Sequence, residues 1–352
     1  MIMFMRVFLL EAPGLAVMKE LPLRDLKPDE ILIKVQYSGI CGTDLSFYTG
    51  KSDFVRRGLV RYPVRIGHEW SGTVERIGEA VTAFSEGDNV VADNGVACGE
   101  CESCREGKWT DCRSGYSVGT INCWDGCFAD YIIMPERHVF LLKEGLSLLD
   151  ACLIEPATIS YNALKRRDVV GKTVLIIGTG PIGLSAIPFA KEMGAARVLL
   201  LGRTRSKLDI GLAMGADRVI SSYEEDPMDV LHDIAPGGVD LVLEASGVLD
   251  NIWLAVRVTR QFGSVALLAF YETEIGGIGV EEFIEREVDL YGVMGAFGLA
   301  GEVAELMAKR GIDLKPMITQ TIGFDELPEV FTHASEMKDR VKIVVDMNRT
   351  EI

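Results

Sequence analysis

Up to about residue 150 the hydrophobic and polar positions fall into short β-rich runs. Ile31-Leu-Ile-Lys-Val-Gln-Tyr37 and Ser71-Gly-Thr-Val-Glu-Arg-Ile77 are such runs, broken by turns such as Glu86-Gly-Asp88, and β-rich runs bounded in this way predict strands. Together they predict a β-barrel-like domain. From Lys172 strand and helix patterns take turns: Thr173-Val-Leu-Ile-Ile177, a glycine turn, a helix to about Met193, Arg197-Val-Leu-Leu-Leu201, a helix to Met214 and Arg218-Val-Ile220. Leu241-Val-Leu-Glu244 and Ser264-Val-Ala-Leu-Leu268 continue the series, so this segment predicts repeated βαβ units around a parallel sheet. After about Gly295 a helix from Ala300 to Arg310 leads into a further short β-rich tail. No internal repeat or low-complexity linker interrupts the pattern.

A length of 352 residues suggests two domains, and 48% hydrophobic residues suffice for two packed cores. Lys and Arg number 36 against 52 Asp and Glu, a formal net charge of -16. With no basic run or aromatic-basic interleaving to track a phosphate backbone, nucleic acid is not an expected partner. The apolar opening Met1–Leu10 has neither the basic start nor the small-residue cleavage site of a secretory signal before Glu11-Ala-Pro-Gly14, so it is expected to be a first strand. No uncharged apolar stretch reaches the length that crosses a bilayer, and no membrane partner is expected. Eight cysteines, the tightest group spaced for metal, fit a reducing cytoplasm better than a disulfide framework.

That group is Cys98, Cys101, Cys104 and Cys112, a Cys-x2-Cys-x2-Cys-x7-Cys run within a glycine-containing lobe, 95–112. Four thiolates this close can fold around one ion, and an all-sulfur tetrahedral shell suits a structural zinc. Cys41, His68 and Glu155 form a second set, far apart in sequence. Three ligands are too few to close a zinc shell and leave a position open for water or substrate. One closed site and one open site, two Zn2+ per chain, point to a zinc enzyme.

Gly178-Thr-Gly180-Pro-Ile-Gly183 follows a predicted strand and opens a helix, the context a dinucleotide fold needs. Gly178 permits the tight turn, Gly180 lets the backbone approach a pyrophosphate, and Gly183 lets helix pack on strand, while the helix N-terminus, with Pro181 and Ile182, favours the anion. At the end of the next strand, roughly twenty residues on, an Asp or Glu usually grips the ribose 2'-hydroxyl of NAD. Here that position is Gly202, followed by Arg203-Thr204-Arg205 and Lys207. Room and positive charge without a repelling carboxylate favour NADP(H) over NAD(H).

Cys41-Gly-Thr-Asp44, Gly67-His-Glu-Trp-Ser-Gly72, the four-cysteine lobe, Glu155-Pro156 and the glycine turn occur in the order seen in zinc-dependent medium-chain dehydrogenases, which the chain resembles over nearly its whole length. The resemblance implies an α/β fold: a GroES-like β-barrel catalytic domain, 1–156 and 296–352, with a Rossmann doubly wound parallel sheet, 157–295, inserted, and an active site in the cleft separating them. Glu155-Pro156 looks like the sorbitol and threonine dehydrogenase branch, in which that glutamate is a zinc ligand or lies beside one. Glu69 resembles the neighbouring carboxylate that can approach or replace a ligand, and would tune the metal from behind. Thr43 is the hydroxyl placed by resemblance to relay the proton. Ala245-Ser246-Gly247 and Leu268-Ala-Phe270 are implied at strand ends facing the cofactor, with Val293 and Met294 near the nicotinamide. A homodimer or homotetramer is implied as well.

Other residues read as structural. His138, His232 and His333 have no comparable context. Cys123 and Cys127 are spaced as a redox pair could be, but Asp125-Gly-Cys-Phe-Ala-Asp-Tyr131 resembles a family stretch with glycine at Cys127, so a small buried residue is expected there and core at Cys152.

Threonine and sorbitol dehydrogenases usually carry a histidine two residues after the Asp of Cys-Gly-Ser/Thr-Asp, where this chain has Ser46. Asp44-Leu-Ser-Phe-Tyr-Thr-Gly50 and Val242-Leu-Glu-Ala-Ser-Gly247 look more like cyclitol and aminocyclitol dehydrogenases, 2-deoxy-scyllo-inosamine dehydrogenase among them. The expected reaction is NAD(P)-linked oxidation of a secondary hydroxyl on a cyclitol, sugar or linear polyol to a ketone, and its reverse. Two alternatives stay open: an L-threonine 3-dehydrogenase-like enzyme, and a non-catalytic NADPH-binding protein of the quinone-reductase and crystallin type, whose members lack the zinc ligands.

Overall fold

The computed structural model describes residues 3–113, 115–271, 280–295, 297–333 and 339–349. The chain divides into two compact units: Met1–Glu155 with Ala296–Gly311 and Ile318–Ile352, and Pro156–Gly295 with Ile312–Met317. In chain order the first unit holds β1 (Phe4–Ala12), β2 (Leu15–Pro22), β3 (Glu30–Ile40), β4 (Val64–Arg65), β5 (Glu69–Ile77), β6 (Asn89–Ala92), β7 (Gly95–Val96), β8 (Tyr116–Ser117), β9 (Tyr131–Pro135) and β10 (Val139–Leu141). The second holds β11 (Thr173–Ile177), β12 (Arg197–Gly202), β13 (Arg218–Ser221), β14 (Val239–Glu244), β15 (Thr259–Leu267) and β16 (Asp289–Gly292). The chain then returns to the first unit with β17 (Ile318–Gly323) and β18 (Lys342–Asp346).

In the first unit a seven-stranded sheet runs β10-β6-β5-β3-β18-β17, with β9 also on β3, beside a β2-β1-β4 sheet and the β7-β8 hairpin. β3 is central, antiparallel to β5, β9 and β18. That explains its composition: Ile31, Leu32 and Ile33 are all buried because neighbours cover both faces. Phe8, Phe128 and Phe331 close the core at edge-on or tilted angles, with ring centroids 4.8 to 6.1 Å apart. The expected first strand is β1, with Met1 and Ile2 outside the described residues. β5 begins two residues before the predicted run and so takes in Glu69.

The helix expected from Ala300 spans Leu299–Arg310. Its N-cap Gly298 has a left-handed φ of 82° and no side chain, so the cap is supplied from elsewhere: Asp93 accepts from the backbone N–H of Gly298 (2.6 Å) and Ala300 (3.2 Å). Residues 312–317, grouped by the sequence with the catalytic domain, belong to the second unit, where Leu314 and Met317 are buried.

In the second unit the parallel sheet runs β13-β12-β11-β14-β15-β16, the order of a doubly wound dinucleotide fold whose direction reverses between β11 and β14. Helices cover it, so the middle of β11, Val174–Ile177, and of β14, Leu241–Leu243, is apolar, with Leu175, Ile177, Val242 and Val265 in its core. No helix among the described residues is long and apolar enough to cross a membrane.

His138 anchors the cysteine lobe to the first unit. It is 1% exposed, and its Nε2 accepts from the N–H of Ala97, the residue before Cys98, at 3.0 Å. Burial, with the neighbouring Arg137 charge, lowers its pKa to about 4. The fold thus favours the neutral ring, a contribution complete above the unfolded value near 6.5 and lost as pH falls through about 4. We expect the Tm advantage of the wild type over His138→Gln to shrink steadily between pH 7 and pH 4.5, read by parallel thermal melts; a constant gap would mean that the ring is not held neutral.

Candidate metal centres and dinucleotide turn

The Sγ atoms of Cys98, Cys101, Cys104 and Cys112 all lie within 4.8 Å of one another, and none of these cysteines is in a disulfide. The lobe folds them inward with two short turns, Glu102–Arg105 and Trp109–Asp111. Backbone N–H groups of Glu100 and Cys101 lower the Cys98 thiol to about 6, whereas burial raises Cys104 to about 12. Four convergent sulfurs fit the closed tetrahedral shell that zinc takes.

The second centre is assembled by sheet register. Gly39 pairs with Glu69 and Ser38 with Trp70, so Cys41, just past the end of β3, lies beside His68, just before β5. On the other edge of β3, Ile343 pairs with Ile40, which brings Lys342 level with Cys41. Ligand atoms of Cys41, His68 and Glu69 lie within 4.8 Å of one another. A thiol, an imidazole and a carboxylate are a donor set that zinc accepts, with a coordination position to spare.

Glu155, expected from the sequence as the third ligand, is not in that group. It stands on the first turn of the helix Ile154–Lys165, where Asn94 Nδ2 donates to its Oε1 at 3.2 Å. It is still electrostatically coupled to the centre: burial raises its pKa to about 7, the His68 charge opposes this, and the Glu69 charge adds to it. Glu69, expected behind the ligands, is inside the group because β5 aims it across Gly39. A Cβ at position 39 would lie 2.1 Å from Glu69 Oε2, so only glycine leaves the carboxylate its place. Lys342 Nζ, 1% exposed, holds both Glu69 oxygens at 2.7 and 2.5 Å and also reaches the Ile40 carbonyl at 3.2 Å.

Asp44 is fully buried. It accepts from the N–H of Cys41 (2.9 Å) and Gly67 (3.2 Å), and its Oδ1 lies 3.5 Å from His68 Nδ1. One carboxylate therefore fixes the backbone at Cys41 and at Gly67, beside His68, and stands behind the imidazole, as buried carboxylates do behind histidines that bind metal. Burial works against a charge on His68, but Asp44 and Cys41 outweigh it and raise its pKa well above the usual value. The pocket favours positive charge.

The sequence pattern assigns Asp44 no role and does not single out Lys342 or Asn94. The spacing Cys41-x-x-Asp44 is that of a capping box, which could have marked Asp44. Lys342 carries no local signal. Thr43 and Ser46 sit half-buried on the helix Gly42–Thr49, with Ser46 Oγ donating to the Thr43 carbonyl at 2.9 Å. Cys127 and Cys152 are buried, and burial pushes both thiols up. His232 and His333 are exposed.

In the second unit the glycine turn leaves β11 at the point where strand order reverses. Gly178 has φ 114°, and a Cβ there would meet the Ala245 and Ser246 backbone at 2.9 Å; one on Gly183 would lie 2.0 Å from the Gly178 carbonyl. Gly180 caps the helix Pro181–Glu192, with Pro181 in its first turn and open space around its own Cα. The Ile182 carbonyl accepts from Ser160 Oγ at 2.6 Å. Beside the turn, Ser246 and Tyr271 hydroxyls both donate to the buried Glu244 carboxylate. Leu268 and Val293 are buried at adjacent strand ends, joined by Leu268 N–H to the Glu244 carbonyl (2.8 Å) and Val293 N–H to the Leu267 carbonyl (3.0 Å). Met294 is exposed. Arg203 is exposed beyond β12, Thr204 caps the helix Arg205–Ala213, and Lys207 is half-buried on it.

Comparison with known proteins gives two family matches: residues 27–144 to the alcohol dehydrogenase GroES-like domain and residues 181–309 to the zinc-binding dehydrogenase domain. The chain is 31% identical over 332 residues to a sorbitol dehydrogenase of Bacillus subtilis strain 168, covering 94% of this chain and 93% of that protein. It is 32% identical over 322 residues to an L-threonine 3-dehydrogenase of Bacillus licheniformis, covering 91% and 92%. Among solved structures, a zinc-binding dehydrogenase target of Sinorhizobium meliloti 1021, bound to NADP, superposes with TM-score 0.88 at 28% identity, covering 98% of this chain and 99% of that one.

Lys342→Met strips the buried Glu69 carboxylate of its cation, and breaking one side of such a pair costs about 3–5 kcal/mol. Urea unfolding should show that loss, and Glu69→Gln added to Lys342→Met should recover much of it. A single variant within about 1 kcal/mol of wild type would show that the pair is not a stabilising element.

Proposed function

This chain belongs to the zinc-dependent medium-chain alcohol and polyol dehydrogenases, and we propose that within them it oxidises a secondary hydroxyl of a cyclitol, or otherwise of a sugar or linear polyol, to the ketone. The observation that carries this reading is the group of half-buried Cys41 with buried His68 and Glu69, three donors with a second carboxylate, Glu155, coupled to them. We assign two zinc ions per chain, one to the four cysteines and one to Cys41 and His68 with a carboxylate from Glu155 or Glu69. When bound, the catalytic zinc supplies a Lewis acid that lowers a hydroxyl's pKa toward neutrality, and the nicotinamide supplies the hydride acceptor.

The chain's own residues do the remaining work. Asp44 keeps the His68 ring and the Cys41 backbone in place, and Lys342 balances Glu69. Thr43 relays the hydroxyl proton toward solvent. Ser46 and Glu155 hydrogen-bond the hydroxyls that flank the reacting carbon, and a site built for such bonds penalises alcohols that lack them. On the cofactor side, Gly178, Gly180 and Gly183 receive the pyrophosphate at the helix start, with Ala245, Ser246, Leu268 and Val293 toward the nicotinamide. Arg203, Thr204 and Lys207 receive an adenosine 2'-phosphate, so NADP(H) is preferred; the NADP in the similar Sinorhizobium meliloti structure supports this. Eight free cysteines support a reducing cytoplasm, and the family a homodimer or homotetramer.

His68→Ala should lower kcat by about a thousandfold or more, the loss of several kcal/mol of transition-state stabilisation, while the dinucleotide Kd stays within about twofold. Near-normal turnover in this variant would remove the metal from the reaction. In a panel of inositols, deoxyinosamine, sorbitol, glucose, threonine and 2-propanol, each with NADPH- and NADH-forming cofactors, the best cyclitol or sugar polyol should exceed 2-propanol by about tenfold or more in kcat/KM. Threonine at the head of that panel would replace the polyol reading with a threonine 3-dehydrogenase. Dinucleotide binding without turnover of any member would favour the non-catalytic alternative.

A further inference from the structure

We propose that Thr179, the residue between the first two glycines of the turn, decides whether position 202 can carry a side chain and thereby which dinucleotide the chain accepts; the second half of this rests on the dinucleotide reading above. Gly202 ends β12, the strand beside the turn. A Cβ on Gly202 would lie 2.4 Å from Thr179 Cγ2, 3.2 Å from Leu208 Cδ2 and 3.4 Å from Thr179 Oγ1. Leu208 could yield a few tenths of an ångström at the end of a flexible chain. Thr179 has less freedom, because a β-branched side chain is stiff at χ1.

Neither backbone can retreat. The turn is tied to β12 by Gly178 N–H to the Leu201 carbonyl (2.9 Å) and backed by Ala245 and Ser246, against which a Gly178 Cβ would come to 2.9 Å. The end of β12 is held from its other side by Ser222 N–H to the Gly202 carbonyl (2.9 Å). Glycine at 202 is therefore imposed by the threonine at 179, apart from any question of charge. The acid that grips an unmodified ribose diol belongs at the position of Gly202, and Thr179 occupies the space its Cβ needs. What remains at that edge is Arg203 and the start of the helix Arg205–Ala213, which suit a dinucleotide phosphorylated on its adenosine ribose.

The test crosses Thr179→Ala with Gly202→Ala and with Gly202→Asp in the full-length, zinc-loaded protein. Gly202→Ala alone should lower Tm by about 3 °C or more, and Thr179→Ala should restore most of that loss. In fluorescence titrations, Thr179→Ala with Gly202→Asp should bind NADH about tenfold tighter than Gly202→Asp alone, and NADPH about tenfold or more weaker than wild type. A wild-type Tm for Gly202→Ala, or equal NADH affinity with and without Thr179→Ala, would overturn the proposal. A wild-type preference for NADH with the alanine pair still non-additive would overturn the NADP reading and leave the steric gate standing.

Discussion

Hydrogen bonding of β3 to β5 on one edge and to β18 on the other fixes where Cys41, His68, Glu69 and Lys342 stand. Cys41 leaves the end of β3, His68 and Glu69 enter at the start of β5, and Lys342 opens β18. A slip of one residue in either pairing would turn Glu69 or Lys342 to the opposite face, since side chains alternate along a strand. Register is held by burial: Ile31, Ile33, Trp70, Ile343 and Val345 all contribute to one core cluster. The hydrophobic packing of the first unit and the placement of its polar chemistry are thus set by the same pairing.

That placement leaves a concentration of acidic groups inside the protein. Buried Asp44 and Glu69, with Glu155 and half-buried Cys41 beside them, face the buried Lys342 and His68. A divalent cation relieves such a field, and the raised pKa of His68 is the same field acting on the nearest titratable base. The cysteine lobe follows similar logic with thiolates, but its attachment is different. His138 accepts from Ala97 N–H and Arg137 donates to the Ala97 carbonyl at 2.9 Å, so both polar groups of the residue before Cys98 are satisfied from the body of the unit.

In the second unit steric exclusion does the work that charge does in the first. Gly178, Gly183 and Gly202 each sit where an added Cβ would come within 3 Å of neighbouring atoms, and in two cases those atoms are backbone. The approaches at Gly178 and Gly202 draw β11, β12 and the Ala245-Ser246 stretch after β14 together where strand order reverses, and the one at Gly183 holds the helix start against the turn. Open space around Gly180 is the exception, and it marks the side on which a ligand can come near the helix start.

The sequence by itself determined what depends on covalent neighbours. Alternation of strand and helix after Lys172, the start of the helix at Leu299, one residue before the predicted Ala300, the four-cysteine lobe and the glycine turn were all legible, because period and spacing are properties of a contiguous stretch. Tertiary structure alone decided which distant groups meet. It brought Glu69 into the three-donor group and set Glu155 against Asn94, placed Lys342 on a carboxylate 273 residues away, moved residues 312–317 into the second unit, capped the helix at Leu299 with Asp93, and set Thr179 against Gly202. Each of these follows from strand register or from close packing between elements, which whole sheets fix cooperatively and no local run of residues encodes.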